Sequence, residues 1–63
     1  MNAQAYAEKE AIMRDLDNVV RELQQMAAEL QRIKGIGAEI CAGKLLRLAD
    51  KYSGIRSQLQ YRV

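Results

Sequence analysis

Sixty-three residues with a formal net charge of +2 make one small domain at most, and below roughly 70–80 residues a single core rarely supplies more than about 3–5 kcal/mol without a staple. One cysteine (Cys41) and no histidine exclude an intramolecular disulfide, a structural zinc set and a histidine-activated thiol. No apolar run approaches the ~18 residues that span a bilayer, and no charged-then-apolar leader opens the chain.

The staple left is burial of apolar surface against another chain. A soluble, non-membrane protein is therefore expected, an oligomer or one half of a complex, with no metal, no cofactor and no small-molecule substrate. The free thiol, expected to lie in a core, points to a reducing cytoplasm. The charge is uneven. Residues 1–34 carry net −1 and residues 35–63 net +3.

The first element is a long helix, expected from about residue 3 to 34. Ile12, Leu16, Val19, Leu23, Met26, Leu30 and Ile33 recur in steps of four and three, a heptad seam. With Leu16, Leu23 and Leu30 at position a, Ile12, Val19, Met26 and Ile33 occupy d. Gly35-Ile36-Gly37 then interrupts the pattern, and glycine readily takes the left-handed conformation that ends helices. Arg32 and Lys34 place cations where a helix C-terminus favours them.

A turn at 35–37 leads to a second helix, expected over about 38–61. Its seam is Ala38, Cys41, Leu45, Leu48, Tyr52, Ile55 and Leu59, with Glu39 in the first turn. Gly54 falls at an outward position, at a cost of about 1 kcal/mol relative to alanine. Leu59, Tyr61 and Val63 alternate as a strand also would, so the last turns are expected to be helical but frayed.

Folding the chain back at the glycines aligns the two seams without a slip. Leu30 meets Cys41, Met26 meets Leu45, Leu23 meets Leu48 and Leu16 meets Ile55, each pair with indices summing to 71. The g positions are acidic on the first helix (Glu8, Asp15, Glu22, Glu29) and include Lys44, Lys51 and Gln58 on the second. In an antiparallel pair g faces g, so Glu29–Lys44 and Glu22–Lys51 are the expected ion pairs. Exposed pairs contribute only ~0.2–1 kcal/mol each, yet they specify orientation.

The e edge is largely apolar as well: Tyr6, Met13, Val20 and Ala27 on the first helix, Ala42, Ala49, Arg56 and Val63 on the second, with Leu46 beside them. A stripe covering a, d and e is wider than one hairpin consumes. The expected architecture is therefore all-α, an antiparallel coiled-coil-like hairpin that dimerises into a four-helix bundle. Tyr6, Met13, Val20, Ala27, Ala42 and Ala49, with Leu46 beside them, form the expected oligomer interface.

Two local motifs invite a chemical reading. Leu30-x-x-Ile33-x-Gly35-Ile36-Gly37-x-x-x-Cys41 resembles the helix-hairpin-helix DNA-binding motif over about 17 residues. The resemblance implies backbone N–H groups of Gly35, Gly37 and Ala38 on nucleic-acid phosphates, with Lys34 and Lys44 as flanking cations; the bland reading is a glycine turn closing the hairpin. Gly37-x5-Gly43-Lys44-Leu45 lacks the spacing, the Ser or Thr and the preceding strand of a P-loop. Lys44, Arg47 and Lys51 on the second helix, with Arg14 and Arg21 outward on the first, read as solvated faces. Tyr52 at a reads as core.

No catalytic constellation is present, and an enzyme is not expected. The leading expectation is a small helical interaction module (adaptor, regulator or co-chaperone), acting as a homodimer or with a helical partner. In plan it resembles small hairpin proteins such as the plasmid regulator Rop and the co-chaperones of type III secretion needles. The alternative is nucleic-acid backbone binding through the Gly-Ile-Gly turn or a basic bundle face.

Overall fold

The computed structural model describes residues 3–62 as two helices packed against each other, α1 (Ala3–Ile33) and α2 (Ile36–Arg62). Val63, the last residue of the alternating apolar tail, lies outside the described residues. At 1.5 Å per residue α1 is about 46 Å long, and the molecule measures 50 × 15 × 10 Å. Two such helices fit those dimensions only when nearly antiparallel. The radius of gyration is 14.9 Å, against about 11 Å for a compact domain of this length. The hairpin is a rod.

Two residues make the connection rather than the three expected. Lys34 takes the left-handed conformation at φ +59°, and Gly35 follows at φ +151°. The Gly35 carbonyl accepts the backbone N–H of Glu39 at 3.0 Å, which makes Gly35 the N-terminal cap of α2. The turn therefore sits at 34–35, and Gly37 lies inside the first turn of α2. One left-handed residue and one glycine-only conformation already reverse the chain, so Ile36 and Gly37 are released to the helix. Glu39 stands in the first turn, where a carboxylate suits the dipole.

The last turns of α2 are helical to Arg62. Lys9 Nζ donates a hydrogen bond to the Gln60 carbonyl at 3.3 Å. That carbonyl is one of the four that a helix C-terminus leaves without a partner. The bond ties the end of α2 to the beginning of α1.

The seam between the helices differs from the expected one by a single step around each helix. The buried apolar residues are Met13, at 6% exposure, and Ala27, Ala42 and Ala49, each at 1%. All four are e residues. The a residues Leu16, Leu23, Leu30, Leu45, Tyr52 and Leu59 are half-buried, whereas the d residues are exposed, Cys41 among them. The repeat is intact, since Met13, Leu16, Val20, Leu23, Ala27 and Leu30 still step by three and four. Only its centre moves, from between a and d to between a and e.

Alanine explains the shift. Where two alanines or an alanine and a leucine face each other, the axes approach to the short end of the 8–10 Å range, and a two-residue connection suits that approach. A seam centred on Ile12, Val19, Leu48 and Ile55 would hold the helices further apart. Ion pairing follows the seam. Arg56, an e residue, lies 3.1 Å from Asp17 (Nε to Oδ1), while among the described residues neither Glu29–Lys44 nor Glu22–Lys51 is paired. The axial alignment is close to expectation. Asp17 would have faced Gly54 and reaches Arg56; Lys9 would have faced Arg62 and reaches Gln60.

Candidate functional site

Moving the seam to a and e decides what each side of the hairpin shows. In an antiparallel pair the residues flanking the seam on one side of both helices share one flank, and those on the other side share the opposite one. One flank carries the b residues Glu10, Asp17, Gln24 and Gln31 with Glu39, Leu46, Ser53 and Gln60. It is polar except for Leu46. The other carries the d residues Ile12, Val19, Met26 and Ile33 with Cys41, Leu48 and Ile55. It is apolar throughout.

Every member of that apolar set is exposed, and Ile12, Val19, Met26, Leu48 and Ile55 retain between 37% and 49% of their surface. From Ile12 to Ile33 the strip runs about 30 Å along the axis. Scattered exposed apolar residues are ordinary on a soluble protein, whereas a continuous apolar strip is uncommon on a monomeric one. The half-buried leucines at a form its floor.

The charged g residues form its two rims. Along the α1 edge stand Glu8, Asp15, Glu22 and Glu29; along the α2 edge stand Lys44 and Lys51, then Gln58; all seven are exposed. The face is thus apolar along its middle, acidic on one side and basic on the other.

Surface area gives a second measure of what is left uncovered. A compact monomer of 7.1 kDa exposes about 4,100 Å², whereas this chain exposes 4987 Å². The excess, about 900 Å², is close to the ~800 Å² that each partner contributes to a standard protein interface. No large side chain is fully buried among the described residues.

The seven residues expected at an oligomer interface are divided by the structure. Met13, Ala27, Ala42 and Ala49 are inside the hairpin, Val20 is half-buried beside them, and Tyr6 and Leu46 are exposed at 55% and 39%. The apolar surface left over is the d strip instead. The physical reason is the alanine seam, which consumes the e edge.

The phosphate-binding set is not gathered either. Lys34, Gly35 and Gly37 are exposed at the turn with half-buried Ala38, but Lys44 is more than two helical turns along α2, about 12 Å from its start. The near-antiparallel helices also differ from the steep crossing of short helices in helix-hairpin-helix motifs. The Glu39 carboxylate adds negative charge beside the amides that would meet a phosphate. Among the described residues no cavity forms, no cluster of metal-ligating side chains gathers, and no helix is long and apolar enough to cross a membrane.

No protein-family model matches the chain, and no match was found to a curated protein or to a solved structure.

Proposed function

We propose that this hairpin is a non-enzymatic protein-interaction module completed by a second copy of itself, which covers the strip formed by Ile12, Val19, Met26, Leu48 and Ile55. The observation that carries the reading is the contrast between the two flanks, one polar except for Leu46 and one wholly apolar. The excess area supports it, because it amounts to one side of a standard interface. So does the slender interior, in which the four most buried residues are three alanines and a methionine. A core of that volume is too small to hold a 63-residue chain folded alone.

Two hairpins joined through these strips make a four-helix bundle whose floor is the leucines at a and whose walls are the d residues. The polar flank of each copy stays in water.

Sedimentation equilibrium from 1 to 100 μM, with helical circular dichroism read in parallel, tests the proposal. A dimer mass, with helicity lost as the dimer dilutes, is the expected result. A folded monomer throughout would overturn it, and so would a chain that folds only on adding a different helical protein.

The other reading, binding to nucleic-acid backbone at the turn, is less supported, because Lys44 lies more than two helical turns beyond the Lys34, Gly35, Gly37 and Ala38 cluster and the Glu39 carboxylate stands beside its amides. It predicts capture of labelled duplex DNA or RNA at 50 mM salt and a steep loss by 200 mM. The expected result is no capture at either.

A further inference from the structure

The rims of the apolar face carry an instruction about how the second copy sits, which rests on the reading that a second copy covers it. Two hairpins can meet face to face about either of two symmetry axes lying in the plane between them. If the two-fold axis is perpendicular to the helices, α1 lies on α1 of the other copy and α2 on α2. If it is parallel to the helices, α1 of each copy lies on α2 of the other. Both arrangements make every neighbouring pair antiparallel, so helix direction does not distinguish them. Charge does.

With the perpendicular axis, the acidic rim Glu8, Asp15, Glu22 and Glu29 meets the same four residues of the other copy, and Lys44 and Lys51 meet their own equivalents. With the parallel axis, each acidic rim meets a basic one. We infer that the two copies pair about an axis parallel to the helices, with the α1 rim of each copy against the α2 rim of the other and both turns at the same end of the bundle.

The axial positions support this. A pure rotation about the bundle axis permits no sliding, so a residue of α1 meets whatever stands at its own height on α2. The Asp17–Arg56 and Lys9–Gln60 contacts fix those heights. The Asp17–Arg56 contact puts Glu22 level with Lys51 and Glu29 level with Lys44, and the Lys9–Gln60 contact puts each pair four residues apart; the mean offset is roughly 3 Å, which both side chains can span. Asp15 falls opposite Gln58 by the same measure. Neither lysine finds its glutamate inside the hairpin, and both find one in the second copy. The expected g-to-g pairing is kept, but between chains.

The sign of one substitution pair separates the two axes. Glu22→Lys with Glu29→Lys places four lysines against the basic rims in the parallel arrangement, and dimer dissociation should become easier by on the order of tenfold or more. In the perpendicular arrangement the same change relieves acid-on-acid contacts, and the dimer should tighten. Adding Lys44→Glu and Lys51→Glu to the same chain exchanges the rims and should restore the original dissociation constant.

A distance measurement that is independent of charge closes the test. Spin labels placed at Gln4→Cys, and separately at Arg32→Cys, in a Cys41→Ala background report the spacing between equivalent residues. The expected result is below about 30 Å at both positions, the width of a bundle with its labels. Spacings of about 40 Å or more at both, set by the 1.5 Å rise along α1, would place the turns at opposite ends and overturn the inference while leaving the dimer intact. A monomer mass with no dipolar coupling would overturn the dimer as well.

Discussion

The Arg56 guanidinium lies 3.1 Å from the Asp17 carboxylate, on the polar flank of a seam that Arg56 itself occupies. Arg56 stands one heptad after Ala49 and two after Ala42, at the position where the seam is otherwise sealed by alanine. Its side chain stays about one-third exposed and reaches out to Asp17, and its Nη1 donates to Gln60 Oε1 at 2.8 Å. The Nε proton, although close to Asp17, is not aimed at the oxygen and has no acceptor. The contact is an ion pair with imperfect geometry.

This pair should therefore contribute little. Asp17→Ala is expected to cost under about 1 kcal/mol, and a double-mutant cycle with Arg56→Ala should give a coupling of ~0.2–1 kcal/mol. Arg56→Met, which replaces an incompletely satisfied charge with an apolar side chain on the seam, should match or exceed the native melting temperature. A loss of several degrees would show that the ion pair does more than its geometry indicates.

Seam and face should respond differently to the same insult. Ala49→Glu buries a charge where exposure is 1%, so helicity should be lost at every protein concentration. Leu48→Glu, one residue earlier and 41% exposed, should shift the dimer equilibrium and keep helicity at the highest concentrations. Circular dichroism at 5 and 500 μM distinguishes them, and identical behaviour would mean that the two positions share one environment.

Two glycines inside α2 are unused. A Cβ built at Gly43 or Gly54 meets nothing within 4 Å, and both have ordinary helical backbone. Gly43→Ala and Gly54→Ala should each stabilise by about 1 kcal/mol, additively because they are eleven positions apart. Chemical denaturation read by circular dichroism is the check.

The turn residues should respond oppositely. Lys34 holds a left-handed backbone that a side chain disfavours, and Lys34→Gly should stabilise by about 0.5–1 kcal/mol. Gly35, at φ +151°, has a conformation that an L side chain rarely adopts, so Gly35→Ala should destabilise by about 1 kcal/mol or more despite open space around its Cβ. A destabilising Lys34→Gly or a neutral Gly35→Ala would contradict the backbone conformations assigned to the two turn residues.

The helices, the reversal and the axial alignment were all legible in the sequence, because seven apolar residues in steps of three and four leave little freedom in either segment. What was not legible is which half of the wide stripe turns inward. The a/d and a/e halves have identical periodicity, and the opposite charges at g favoured the a/d choice. Those charges could be satisfied across two copies as well as within one, so they did not decide between the halves; within the hairpin neither Glu29–Lys44 nor Glu22–Lys51 is paired among the described residues. The signal that separates the halves is subtler. It is small residues at Ala27, Ala42 and Ala49, and a polar b flank in which Asp17 comes within reach of Arg56 only if the seam is centred on a and e.

Cys41 illustrates what that rotation changes. Read as core, it is instead exposed on the apolar strip, where a second copy would lie over it. In the proposed dimer the native thiol would be a built-in reporter of assembly. Its alkylation by a maleimide should run quickly on separated hairpins and slow in proportion to dimer occupancy, which gives a reading of self-association in crowded mixtures without any added label.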